Sequence, residues 1–268
     1  MNLISSSYQI IRQALFLFVK YRIHLSLIYY FLLVYNNLRV SATLNYPLIL
    51  SFSFWHFALF LFDRVYDRHI DKLAQPDEYV PDHQAKFLYG LVAALTLGSL
   101  AFYIVGGFDI RYWLMLFPIT FLYPLALYRG KRIKSFFLIK NLYSALLIYA
   151  LPIFLQGFIL SRYQIPSDEV LMPIYSLMVY VMIGEIFWDI RDTTVDKENG
   201  THTLPNTLGL FPTKVILVSL ILIDAGTRDW NFTGSAIIYL VLLSFVKERT
   251  DRLIYHLPPL IALLRFLV

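Results

Sequence analysis

Residues 185–209 read EIFWDIRDTTVDKENGTHTLPNTLG. An apolar run over 171–188 leads straight into this stretch, and Glu185, Asp189, Asp192 and Asp196 follow at i, i+4, i+7 and i+11. On an α-helix those offsets share one face. A second acidic stretch lies earlier, also at the end of an apolar run. There Asp63, Asp67 and Asp71 stand at i, i+4 and i+8, which again predicts one helix face, drifting by about 40° per step. Carboxylates gathered at the mouth of an apolar bundle repel one another and raise the free energy unless a cation accompanies them. Oxygen ligands, in a chain with no cysteine and no paired-histidine spacing, suit Mg²⁺ better than zinc. Mg²⁺ keeps waters and is commonly shared between carboxylates and a substrate's phosphates, so a diphosphate is the expected third party.

The remainder of the chain says what holds these acids. It is 58% hydrophobic, 17% aromatic and only 15% charged over 268 residues, with a mean hydropathy of +0.61, which points to a bilayer rather than water as solvent. Nine spans are expected, at 23–40, 46–62, 85–106, 110–128, 141–160, 171–188, 213–226, 232–246 and 254–268. Most are about long enough to cross a hydrocarbon core of ~30 Å as a helix. The seventh and eighth are short, and a re-entrant hairpin is the other reading of that pair. Residues 10–19 are expected as an interfacial helix. The chain reads as a single all-α membrane domain over 1–268, with no linker and no low-complexity segment. The acidic motif recurs four spans after its first occurrence, which suggests two related four-helix halves.

Charge sets the expected orientation. All but five of the 23 Lys and Arg residues (Arg39, Arg111, Arg162, Arg228 and Arg265) fall on one side of this span count, the cytoplasmic side by the positive-inside rule. Both acidic motifs fall on that side too. The net charge of +5 therefore reflects loops, and no nucleic acid partner is expected. The densest basic loop joins the fourth and fifth spans with Arg129, Lys131, Arg132, Lys134 and Lys140. A departing diphosphate gains negative charge as its allylic C–O bond breaks, and Lys or Arg beside Mg²⁺ stabilises that charge. Lys131 and Arg132 are the first candidates, with Tyr123 as a hydrogen-bond donor and Lys140 behind them. A purely topogenic loop is the other reading.

These motifs resemble those of the UbiA superfamily of intramembrane prenyltransferases. Asp189 to Gly209 resembles the family's second motif in its quinone and tocopherol branches, D-x-R-D-x-x-x-D followed by G-x-x-T-L-P-x-x-L-G. Asp63, Asp67 and Asp71 fit the first motif, N/D-x-x-x-D-x-x-x-D, with Asp63 where Asn is usual. Tyr123-Pro124, Lys131-Arg132 and Lys140-Asn141-Leu142 resemble the basic loop that contacts diphosphate. The resemblance implies a nine-transmembrane-helix UbiA-type bundle with a cytoplasmic cap and a central cavity open to lipid. It implies Mg²⁺-dependent transfer of an isoprenyl group from an allylic isoprenyl diphosphate to a hydrophobic acceptor, such as an aromatic quinone precursor, within the lipid bilayer. Asp67, Asp71, Asp189, Asp192 and Asp196 would hold metal with Asp63 assisting. Lys131, Arg132 and Tyr123 would act on the leaving group, with Arg64, Arg68, Lys140, Asn141, Glu185 and Arg191 around the substrate.

One departure matters. Where the family continues N-R-P-x-R-P after its first motif, Asp71-Lys72 is followed here by Leu73, Ala74, Gln75, Pro76, Asp77, Glu78 and Tyr79. Both arginines are missing, so acceptor identity does not carry over. A membrane terpene cyclase, whose substrate's own double bonds capture the cation, is the alternative. A cation transporter is the remote one, since its acids should lie at the midplane on broken helices and these lie at span ends.

Overall fold

The computed structural model describes residues 13–74, 79–128, 131–226, 233–248, 250 and 252–261. Its described part is helical except for one small ribbon. Helix α1 (Gln13–Lys20) meets α2 (Ile23–Val40) at 70°, with Arg22 at the corner in the left-handed region, φ 60°. Residues 10–12 of the expected interfacial helix lie outside the described residues. Helix α3 (Tyr46–Tyr66) starts at Asn45, whose side chain accepts from the Leu48 N–H at 3.1 Å, with Pro47 in the first turn. Both features satisfy a helix N-terminus. The chain continues through α4 (Arg68–Ala74), α5 (Asp82–Val105) and α6 (Ile110–Phe121).

A ribbon of β1 (Ala126–Tyr128) antiparallel to β2 (Lys131–Arg132) follows. Next, α7 (Ile139–Tyr143), a π-helical segment Ser144–Ala150 and α8 (Leu151–Leu160) run on as one rod. Helix α9 (Asp168–Arg191) is followed by the short α10 (Thr193–Glu198) and α11 (Leu204–Leu208). Then come α12 (Leu210–Gly226), α13 (Thr233–Phe245) and a 3₁₀ turn, Arg252–His256.

Among the described residues, four helices are long and apolar enough to cross a membrane: Tyr46–Tyr66, Asp82–Val105, Ile139–Leu160 and Val170–Arg191. The bent pair α1 and α2 passes the same test as one broken span. Large apolar side chains point outward from them, with Phe87 73% and Val105 78% exposed. In water such a surface would be an aggregation liability, whereas hydrocarbon removes its cost.

Two span boundaries differ most from expectation. The fourth run, read as 110–128, stays helical only to Phe121 and then turns into the ribbon, because Pro124 disfavours helix at the residue before it. The second run, read as 46–62, continues to Tyr66, which brings Asp63 and Arg64 into the last turn of α3. The connection between the seventh and eighth runs, the end of the ninth, and Gln75 to Glu78 of the divergent loop lie outside the described residues.

Helix α9 joins the two main parts of the core. Its first half packs with α2, α3 and the α7–α8 rod around Tyr29, Leu33, Phe52, Trp55 and Ile153. Its second half packs with α12, α13 and the last segment around Ile183, Phe187, Leu217, Tyr239 and Tyr255. Lipid tails are as apolar as leucine, so polar bonds contribute specificity to such packing. Asn36 Nδ2 donates to Gln156 Oε1 at 2.8 Å, and Gln156 Nε2 donates to the Leu33 carbonyl at 3.0 Å. Together they tie α2 to α8 at about 0.6 kcal/mol per bond.

Candidate active site

Neither acidic motif lies on an unbroken helix face. Helix α3 stops at Tyr66 and α4 starts at Arg68, leaving Asp67 between them with φ −84° and ψ 1°. Helix α9 stops at Arg191 and α10 starts at Thr193, leaving Asp192 between them with φ −98° and ψ 11°. Both junction aspartates sit in the sparsely populated bridge region where active-site residues often lie. This corrects the single-face reading, yet the spacing survives. Asp67 N–H donates to the Asp63 carbonyl at 3.0 Å and Asp71 N–H to that of Asp67 at 2.9 Å. Asp192 N–H donates to the Trp188 carbonyl and Asp196 N–H to that of Asp192, at 3.1 and 2.8 Å. The Thr193 hydroxyl donates to the last carbonyls of α9, those of Asp189 and Ile190, at 3.0 and 2.9 Å, which satisfies groups that a helix end leaves orphaned.

The two broken motifs face one another across a cavity of about 140 Å³. Asp63, Asp67 and Asp71 line one side; Glu185, Asp192 and Asp196 line the other. Lys140, Arg22, Arg191 and Tyr123 also line it, over an apolar floor of Leu59, Phe60 and Ile148. The space is on the order of ten waters, comparable with a hydrated diphosphate head. Tyr123 is buried and stacks on Tyr143 with centroids 5.5 Å apart; Tyr143 in turn donates to the Ile119 carbonyl.

Charges around the cavity are paired in part. Arg191 clamps Asp192 through two bonds, Nε to Oδ1 at 2.8 Å and Nη2 to Oδ2 at 2.6 Å. Lys140 pairs with Asp189, and Asn141 Nδ2 donates to the other oxygen of Asp189 at 3.1 Å. Asp189 has no exposure and does not line the cavity. Glu185 accepts from the Ser144 hydroxyl at 2.7 Å, which the π-helical turn brings round to it. Burial, opposed by Lys140 and reinforced by Asp189 and Asp192, pushes the Asp196 carboxyl up to about 7. Burial likewise raises Asp71, against the pull of Arg64.

Arg64 and Arg68 serve the first motif from behind. The fully buried Arg64 donates to Asp71 at 2.8 Å and to the Lys20 carbonyl at 3.1 Å, spanning the break between α3 and α4. Arg68 donates to Asp82 at the head of α5, at 2.8 Å. Neither lines the cavity. Lys131 and Arg132 form β2, and their side chains lie outside the description. Sequence reasoning missed Arg22, Ser144, Trp188 and Thr201. Arg22 reaches the cavity from the α1–α2 corner and lies over the Trp188 ring, 5.5 Å from its centroid. A basic residue just before the first span was the available signal, and it read as topology.

The tail of the second motif forms a cap beside the cavity. Gly200 adopts φ 67°, a left-handed turn at no steric cost. The Thr203 N–H donates to Asn206 Oδ1 at 2.9 Å, and Asn206 Nδ2 donates to the Thr201 carbonyl at 2.7 Å. These bonds seat α11 with Leu204 and Pro205 buried.

The donor set fits a hard divalent cation. Asp196 Oδ2 is buried with no hydrogen-bond partner among the described residues, in a wall of carboxylates. Among the described residues no three His, Asp or Glu side chains converge tightly enough to hold a metal ion alone. Mg²⁺ bound here would complete its octahedron with water and substrate oxygens.

The description "UbiA prenyltransferase family" belongs to the family model that matches residues 24–252. No curated protein matches the chain. A solved UbiA homolog from Archaeoglobus fulgidus, bound to DMAPP and Mg²⁺, aligns with a TM-score of 0.55 at 17% identity, covering 91% of this chain and 94% of that one. A structure of a UbiA homolog from the same organism bound to GPP and Mg²⁺ aligns at 0.53 and 17% identity, over 92% and 97% of the two chains. At that identity the likeness is one of fold.

Proposed function

The chain belongs to the UbiA prenyltransferase family, and on that premise we propose that it ionises an allylic prenyl diphosphate with Mg²⁺ and passes the prenyl group to an acceptor carbon in the membrane. The observation that carries this reading is the pair of broken acidic motifs facing one cavity together with Lys140, Arg22 and Arg191. We further propose nine crossing segments, with the cavity on the cytoplasmic side as the charge bias implies.

In this mechanism Asp63, Asp67 and Asp71 on one wall and Asp192 and Asp196 on the other would hold Mg²⁺. Asp189 stays behind them to fix Lys140, and Arg64 fixes Asp71 across its helix break. When bound, Mg²⁺ neutralises the diphosphate oxygens. The allylic C1–O bond breaks heterolytically and its electron pair leaves with the diphosphate. Lys140, Arg22 and the loop cations Lys131 and Arg132 stabilise the charge that develops there, with Tyr123 donating a hydrogen bond. Below, Phe60, Tyr149 and Trp188 shield the allylic cation with their ring faces. A carbon–carbon bond then forms from the acceptor's π electrons, and the acceptor carbon loses its proton to solvent.

The test uses purified protein with geranyl, farnesyl or geranylgeranyl diphosphate and Mg²⁺, with and without added membrane lipid, reading diphosphate release and organic products. Release that EDTA abolishes is the expected result. No release from any of the three, or full release in metal-free buffer, would overturn the reading. Cyclised hydrocarbon formed without lipid would select the cyclase instead.

A further inference from the structure

A second, apolar cavity adjoins the first. The two share Glu185 and Trp188 in their walls, and a third shares Leu32 and Leu177 with the second. Their linings fall on one stripe of each of two antiparallel helices. On α2 the stripe is Leu25, Ile28, Leu32 and Asn36; on α9 it is Trp188, Gly184, Leu177 and Pro173. The offsets of three, four and seven residues are those of a single helical face, so the second and third cavities are widenings of one seam, which meets the first at Trp188. Helix α2 packs chiefly on α3 and α8 and only thinly on α9, which leaves the seam free to open. Among the described residues a Cβ added at Gly184 would meet nothing within 4 Å, which leaves space over that residue just below Trp188. The far end is closed where Asn36 bonds to Gln156 Oε1 and the Ile153 carbonyl.

Resting on the diphosphate-ionising reading above, we propose that this seam measures the prenyl chain. Gly184 gives the tail its passage, and the Leu32–Leu177 constriction stops it after three isoprene units. From Trp188 to Leu177 is eleven residues of α9, a rise of about 16 Å. An extended isoprene unit, four backbone carbons long, takes roughly 5 Å, so a farnesyl tail fills the seam down to the constriction. Continuing to Pro173 adds four residues, about 6 Å, or one more unit. A geranylgeranyl tail therefore has to displace Leu177 or bend away from the seam. A geranyl tail leaves the last stretch of apolar wall uncovered.

Binding of the non-ionisable geranyl, farnesyl and geranylgeranyl S-thiolodiphosphates, and of inorganic diphosphate, to the purified full chain with Mg²⁺ tests this. Native protein is expected to hold the farnesyl analogue at least ~10-fold tighter than either neighbour, the scale on which a few carbons are discriminated in an apolar site. Leu177→Ala should bring the geranylgeranyl analogue level with or ahead of farnesyl. Gly184→Phe should weaken both long analogues by ~10-fold or more. In both variants binding of inorganic diphosphate should stay within ~3-fold of native, which controls for folding and for the metal site. An unchanged order of affinities in Leu177→Ala, or farnesyl binding unimpaired in Gly184→Phe, would overturn the ruler and leave the ionisation reading standing. If native protein binds inorganic diphosphate and none of the prenyl analogues more tightly, both readings fall.

Discussion

Lys140 and Asp189 offer the sharpest test of how the cavity is held together, because their surroundings make the two halves of the pair unequal. The Asp189 side chain has no exposure, while that of Lys140 keeps 17% through its edge on the cavity. Lys140→Met strands a buried carboxylate that, among the described residues, keeps only the Asn141 bond at 3.1 Å. Removing one partner of a buried pair in this way costs about 3–5 kcal/mol. Asp189→Asn is the milder change, because the ammonium still faces Asp196 and Glu185 and reaches water. It should cost about 1–2 kcal/mol, the scale of a weakened hydrogen bond to a charged group. The double variant removes the stranded charge and should recover about 2–3 kcal/mol relative to additivity, as contacting residues do. Unfolding of each variant in mixed detergent micelles, followed by tryptophan fluorescence, gives the cycle. Equal costs for the two single variants, or costs that simply add in the double one, would refute this account of the pair.

If the proposed site is right, Asp192→Ala and Asp67→Ala should each lower kcat by at least ~10²-fold and raise the Mg²⁺ needed for half-activity, because each would remove a ligand. Asp189→Asn should raise that Mg²⁺ requirement by less than Asp192→Ala does, because Asp189 does not line the cavity, and a shift as large as that of Asp192→Ala would make Asp189 a ligand too. Asp196→Asn should abolish turnover yet raise the melting temperature in EDTA by ~2–4 °C at pH 8. The sign follows from the carboxyl held at about 7 by burial: the folded state binds its proton more tightly than the unfolded one, so stability falls as pH rises from about 4 through about 7. The gain should vanish by pH 4, and a variant no more stable at pH 8 than native would contradict it. Lys131→Gln or Arg132→Gln should slow single-turnover diphosphate release by ~10–10³-fold with an unchanged protease-accessibility map of the loop. Normal release in both would make that loop topogenic only.

That both acidic motifs gather at one cavity was legible because a spacing of four survives small changes of backbone. The helix breaks were not legible. Neither Asp67 nor Asp192 is a proline or glycine, and the hydrogen bonds from Asp67 to Asp63 and from Asp196 to Asp192 continue through them, so local pattern still reads as helix. The end of the fourth run was misread for the opposite reason. Leu122 to Tyr128 is apolar enough to belong to a span, and only Pro124 argued otherwise. Roles that depend on distant partners were hidden altogether. Lys140 ranked below Lys131 and Arg132 because loop charge was the visible signal, whereas its pairing with Asp189 crosses 49 positions of sequence. Arg22 reaches the cavity only because the chain turns 70° beside it with a non-glycine residue at positive φ, a conformation that sequence preference argues against. Gly184 belongs to the same class. In the sequence it is one small residue in an apolar run, and only the fold shows that no described residue lies within 4 Å of where its Cβ would sit.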